Sequence, residues 1–178
     1  MSELELLSGA FRWILGVSLL LAGLKKLRSL SDFRSAVGAY ELVGPRASEF
    51  VTKALPPIEV VCGVFILMRR AEPYVVLPAV ALFCVFAGAI GINIVRGRRD
   101  LDCGCGLAPS GGGIGWAHVI RNILLACMAI AIALLLPSSS SRATILTSLG
   151  LAVQIMLGWW LVVGLSSWQQ VMKPQAPT

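Results

Sequence analysis

Cys103-Gly104-Cys105 sets two thiols one residue apart in the polar, glycine-rich stretch Leu101 to Gly113. Two thiols that close can join as a disulfide, exchange with a partner's disulfide, hold a soft metal, or stay inert. Disulfides want Cα atoms about 4.4–6.8 Å apart, and an extended tripeptide lies at or beyond that limit. Gly104 permits the tighter backbone that closure needs. A bond closed under strain is easily reduced, which suits exchange better than bracing. A metal set would be Cys103 and Cys105 with His118 as third ligand, a combination for copper(I). Zinc in a structural site takes four ligands, and the loop offers too few. Exchange is therefore the reading adopted, and no metal is assigned. The remaining cysteines, Cys62, Cys84 and Cys127, lie inside apolar runs, where cysteine behaves as a small hydrophobe.

A second set of polar residues sits inside apolar segments: Lys26, Glu59, Asn93, His118, Arg121 and Asn122. An ionisable group within a membrane costs at least about 2.5–3.5 kcal/mol, so such groups face protein partners. A Glu59–Arg121 pair would relieve both charges. His118 and Asn122 are four residues apart and can share a helix face. Cations near the loop, namely Lys26, Arg121 and a protonated His118, would favour thiolate at Cys103 and Cys105, while Asp102 opposes it.

The elements that must position these groups are membrane helices. Only 13% of the residues are charged and 57% are hydrophobic, against about 25% charged in ordinary soluble domains. Five apolar runs approach the roughly 20 residues that cross a bilayer: Leu6 to Leu24, Val51 to Met68, Tyr74 to Val95, Trp116 to Leu136, and about Ile145 to Leu165. Glu3 and Glu5, with no small-x-small cleavage site, predict that the first run is a retained helix and not a cleaved signal. Between the first two runs, Phe33, Val37 and Tyr40 recur at helical spacing among charged residues, predicting an amphipathic interfacial helix over about 29–50. Gly44-Pro45 should end it, and Pro56-Pro57 should stand near the start of the second span, where missing N–H groups are tolerated. Ala81, Cys84, Gly88 and Gly91 form a small-residue stripe that predicts close approach of another helix. Arg12 should snorkel to its membrane surface.

The fold class expected is thus an all-α membrane protein. It is an antiparallel four-helix transmembrane bundle over residues 1–136, with the interfacial helix and the cysteine loop 97–115. A serine-rich linker, a fifth C-terminal transmembrane helix and a polar tail follow in 137–178. The net charge of +6 belongs to loop residues at lipid headgroups, and no basic stretch with interleaved aromatics points to nucleic acid.

Several segments together resemble the MauE family of methylamine-utilisation membrane proteins, within the DoxX-like group of redox-associated membrane proteins. They are Ala22-Gly23-Leu24-Lys25-Lys26-Leu27, Phe33 to Tyr40, Leu55-Pro56-Pro57-Ile58-Glu59, Arg96-Gly97, Asp102-Cys103-Gly104-Cys105-Gly106 and Arg121-Asn122. Gly106 stands where members of that family often carry an aromatic. The resemblance implies a multi-pass protein of the bacterial inner membrane, acting beside a thioredoxin-like partner. Its implied task is disulfide maturation, processing or transport of a cysteine-rich substrate, the small subunit of methylamine dehydrogenase. Two alternatives stay open: a non-enzymatic assembly or transport subunit, and a quinone-linked oxidoreductase subunit, which would make a quinone the cofactor.

Alternating spans place the N-terminus, Arg69-Arg70 and the serine linker on one side, here side A. The Lys25–Phe50 connection, the cysteine loop and the C-terminus fall on side B. Glu59 and Arg121 then lie about 8–12 Å below the side-B surface, level with Lys26 and Asn93. Outside the spans, side A carries three basic residues and side B ten. The positive-inside rule therefore places side B in the cytoplasm, whereas maturation of an exported subunit requires the loop outside. Labelling Cys103 and Cys105 with a membrane-impermeant thiol reagent separates the two. The charge rule predicts labelling only after cells are opened, and labelling of intact cells would reverse that placement.

Overall fold

The computed structural model describes residues 3–68, 73–101, 113–135 and 146–155. They form six helices: α1 (Glu3–Arg28), α2 (Leu30–Tyr40), α3 (Pro45–Leu67), α4 (Pro73–Val95), α5 (Trp116–Leu135) and α6 (Leu146–Ile155). No strand occurs among the described residues. Four helices are long and apolar enough to cross a membrane: Leu6–Arg28, Pro45–Leu67, Val76–Val95 and Trp116–Leu134. The chain is an all-α, multi-pass membrane bundle, as its composition requires.

Helix α1 is the central element, with 61% of its membrane window buried against 33–39% for the other three. Its inner stripe, Leu15, Leu19 and Ala22, repeats at three- and four-residue spacing and meets α3 and α5. The seam with α3 is close because both helices offer glycine there. A side chain at Gly63 would stand 2.8 Å from the Leu20 amide nitrogen, and one at Gly23 would stand 2.8 Å from the Pro56 carbonyl oxygen. Backbone-to-backbone contact of this kind is how membrane helices gain dispersion energy where lipid offers no hydrophobic drive.

The small stripe on α4 does not play that part. Ala81, Cys84 and Gly88 are exposed, and none of the described residues comes within 4 Å of a Cβ built at Gly88 or Gly91. The inner face of α4 instead carries Val76, Ala79, Phe83, Ala87, Ile90 and Ile94. That face is turned away from the stripe, which has no packing partner among the described residues.

The interfacial helix is shorter than its pattern suggests. It stops at Tyr40, where Glu41 adopts a left-handed conformation (φ 50°), and its buried anchor is Phe33. Gly44-Pro45 starts the next helix and does not end this one. Gly44 is extended at the N-cap and Pro45 opens α3, where its missing N–H is not needed. Residues 45–50 therefore belong to α3, and Pro56-Pro57 fall in its interior. There they remove the donors for the Thr52 and Lys53 carbonyls. Of the expected fifth span, 146–155 is helical and rests on α1, with Ser148 filling the space a side chain at Gly9 would need. Residues 156–165 lie outside those described.

The glycine seam yields a stability prediction. Gly63→Leu or Gly23→Leu should force α1 and α3 apart and cost about 1–3 kcal/mol, read as a lowered melting temperature in detergent. Gly88→Leu, outside that seam, should leave the melting temperature nearly unchanged.

Candidate functional site

Each polar residue inside the bundle continues an apolar inner stripe by one further helical step. Lys26 follows Leu15, Leu19 and Ala22 on α1, while its neighbour Lys25 is exposed. Glu59 stands between Pro56 and Cys62 on the buried face of α3. Asn93 follows Ala87 and Ile90 on α4, and Asn122 precedes Leu125 and Ala126 on α5. The same periodicity that builds the core therefore delivers these groups to its side-B end.

At the centre, the Lys26 ammonium donates to Glu59 Oε1 in a buried ion pair, with the two side chains 4% and 0% exposed. Aromatic rings close over the ammonium. Lys26 Nζ lies 4.4 Å from the centroid of Phe86 and 5.1 Å from that of Phe33, within the range at which a ring face attracts a cation. Four elements, α1 to α4, thus converge on one amine.

The expected Glu59–Arg121 pair does not form. Lys26 reaches the carboxylate, and Arg121 is near enough to Lys26 to act on it as a like charge. Among the described residues, Arg121 Nε, Glu59 Oε2 and Asn93 Oδ1 are buried without a hydrogen-bond partner. Asn93 Nδ2 donates back to the Ala89 carbonyl at 3.1 Å, and Asn122 Nδ2 to the His118 carbonyl at 2.7 Å. His118 is half-buried at the start of α5 and accepts the Gly115 N–H through Nδ1 at 3.2 Å. Arg12 is also unlike its expectation. It is 3% exposed, and its Nε donates to Ser8 Oγ at 3.3 Å inside the side-A half of the bundle.

Cys103 and Cys105 lie outside the described residues, but both ends of their loop are described. Helix α4 ends with Gly97 (φ 79°), whose N–H reaches the Ile94 carbonyl while Arg98 N–H reaches Asn93, each at 3.0 Å. This helix stop aims Arg98 at the end of α2. Its guanidinium meets Glu41 Oε2 at 2.9 Å and the Ala39 carbonyl at 2.8 Å. Ile114 N–H then donates to the Arg99 carbonyl at 2.8 Å, closing the loop's base. A side chain at Gly113 would stand 2.0 Å from that same carbonyl oxygen, so the crossing needs glycine. Ile114 is buried against Ala87, Ile90, Ile94 and Val119, with Tyr40 and Leu101 beside it.

Among the described residues, no three His, Cys, Asp or Glu side chains gather as a metal cage. Phe33 and Phe86 escaped the sequence reading because a ring covering a lysine has the same spacing as a ring in an ordinary core. The choice of Lys26 over Arg121 was available in one signal, since Lys26 but not Lys25 continues the Leu15–Leu19–Ala22 stripe.

The model of the family described as methylamine utilisation protein MauE matches residues 4–136. A methylamine utilization protein MauE from Paracoccus denitrificans is 33% identical over 169 residues, covering 92% of this chain and 91% of the relative. One from Methylophilus methylotrophus is 36% identical over 139 residues, covering 76% and 73%. One from Paracoccus versutus is 33% identical over 139 residues, covering 78% and 75%. No solved structure matches the chain.

The ion pair makes a prediction that separates a needed pair from a useful one. Lys26→Met leaves a buried carboxylate alone and should cost about 3–5 kcal/mol. Adding Glu59→Leu to it should restore much of that loss in a detergent unfolding titration. If the double variant is as unstable as the sum of the singles, the pair is not what couples these residues.

Proposed function

The chain belongs to the MauE family of methylamine utilisation proteins, and from that premise we propose that it is a thiol–disulfide exchange protein of the bacterial inner membrane. Its dithiol is Cys103/Cys105. Its partners are a thioredoxin-like protein and a cysteine-rich substrate whose disulfides it helps to mature. The observation that carries this reading is the anchoring of the loop. Two thiols separated by one glycine belong to a segment whose base is tied by Arg98 to α2 and by the Arg99–Ile114 bond to itself. The tied base gives a docking partner a defined surface beside the segment that carries the dithiol.

The exchange balances within the two proteins. The Cys103 thiolate attacks one sulfur of a partner disulfide and expels the other as thiolate, forming a mixed disulfide. The Cys105 thiolate attacks Cys103 and expels the partner's second sulfur. The partner gains two electrons and the loop becomes the Cys103–Cys105 disulfide. The reverse sequence forms a disulfide in a substrate. Lys26, Arg121, Asn93 and Asn122 support the site by placing polar groups and excess positive charge at the loop's end of the bundle, where charge favours thiolate over thiol. Electrons leave through the partner in this scheme. A membrane quinone is the alternative acceptor, and redox titration of the purified protein with a quinone analogue distinguishes the two.

A second reading, a non-enzymatic assembly or transport subunit, is favoured by the Lys26–Glu59 pair, which knits α1 to α3 without needing the cysteines. Substitution separates them. Under the exchange reading, Cys103→Ser and Cys105→Ser each abolish maturation of the substrate's disulfides, assayed as active substrate protein in cells. Full maturation in the doubly substituted variant would leave only the assembly reading.

A further inference from the structure

The first turns of α3 carry a feature that thiol chemistry does not use. Arg46, Glu49, Phe50 and Lys53 fall at positions i, i+3, i+4 and i+7 and therefore share one face of the helix. With Ala54 they line an open groove of about 420 Å³. Lys53 pairs with Glu49 at 2.9 Å, and Arg34 of α2 lies close enough to act on the same carboxylate. Arg46 and Lys53 against Glu49 leave the groove with an excess of one positive charge, and Arg34 of α2 adds a third cation beside it. Phe50 is 71% exposed in the middle of it.

Toward side A the exposed side of α3 becomes apolar, with Phe50 between the basic residues and this track. Ile58, Val61 and Phe65 are exposed below the groove, at 44%, 51% and 44%. From Phe50 to Phe65 the helix rises about 22 Å, more than the roughly 15 Å that is half of the hydrocarbon core. Helix α3 is one continuous membrane crossing, so its opening turns stand where headgroups lie and its track stands where acyl chains lie.

A ligand matching both parts has an anionic head and an apolar tail. We infer that the outer face of α3 binds an anionic phospholipid of the side-B leaflet. The phosphate sits among Arg34, Arg46 and Lys53, the glycerol region against Phe50, and one acyl chain along Ile58, Val61 and Phe65. A soluble acidic protein would match the groove but leave the track unexplained. Free phosphate would do the same.

The test is lipid retention by the purified full-length chain, released from nanodiscs of equal phosphatidylglycerol and phosphatidylcholine with matched chains and weighed by native mass spectrometry. Wild type should retain phosphatidylglycerol preferentially. Arg46→Gln/Lys53→Gln should reduce that preference about fivefold for each basic residue removed. Inorganic phosphate and chain-free glycerophosphoglycerol should not displace the lipid at millimolar concentration. Equal retention of the two lipids overturns the assignment, and so does an unchanged preference in the double variant. Displacement by inorganic phosphate assigns the groove to a free anion instead. Loss of a co-purifying protein with lipid preference unchanged assigns it to a protein partner and equally overturns the proposal. Should the double variant not fold, Arg34→Gln on α2 supplies the same readout.

Discussion

A lysine and a glutamate that meet inside a membrane cannot easily be parted, because each alone would face hydrocarbon at a cost of at least about 2.5–3.5 kcal/mol. Much of this bundle follows from holding Lys26 and Glu59 together. Gly23 lies one turn before Lys26 and brings the α3 backbone against α1 beside Pro56 and Glu59. Phe86 brings α4 over the ammonium, and Phe33 brings the interfacial helix α2 onto the same spot. The pair thereby fixes the relative depth of three membrane helices and one surface helix. A purely apolar contact would let helices slide in a medium as apolar as themselves.

The consequence is a bundle whose two ends differ. At side B the ion pair, Asn93 and Asn122 are buried and Arg121 lies near Lys26, and the Ile114 cluster and the Arg98–Glu41 clamp belong to the same end of the bundle. The clamp joins the base of the cysteine loop to α2, and α2 is joined through Phe33 to Lys26. The base of the loop, the surface helix and the buried pair are therefore linked by a chain of contacts. Among the described residues, Glu59 Oε2, Asn93 Oδ1 and Arg121 Nε at this end have no hydrogen-bond partner. The other end, with Arg12 and Ser8 under α6, is polar too but carries no thiol pair among its sequence neighbours.

The crossings were legible in the sequence because about 20 apolar residues in a row have few other uses. So were Lys26, Glu59, Asn93 and Asn122 as inward-facing groups. Their pairing was not legible. Helical spacing gives the face on which a residue stands, whereas pairing depends on how two helices slide past each other, and here two glycines decided that. The small stripe of α4 misled for the same reason. Its spacing was right for close packing, but the larger residues of another face took the inner position. Proline was the other ambiguous signal. Gly44-Pro45 reads equally as an end to α2 or a start to α3, and Glu41's left-handed turn had already ended α2. Why α3 keeps its helix through Pro56-Pro57 has no single-residue cause in the sequence.

The proposed exchange of disulfides between Cys103/Cys105 and another protein passes through a mixed disulfide that can be trapped. Membranes carrying Cys105→Ser, which removes the resolving thiol, are quenched with acid, alkylated and run on a non-reducing gel. The account predicts a covalent adduct between Cys103 and a partner protein that disappears on reduction and is missing from the Cys103→Ser/Cys105→Ser variant. An unmodified chain in every lane, with substrate maturation intact in the doubly substituted cells, would contradict it.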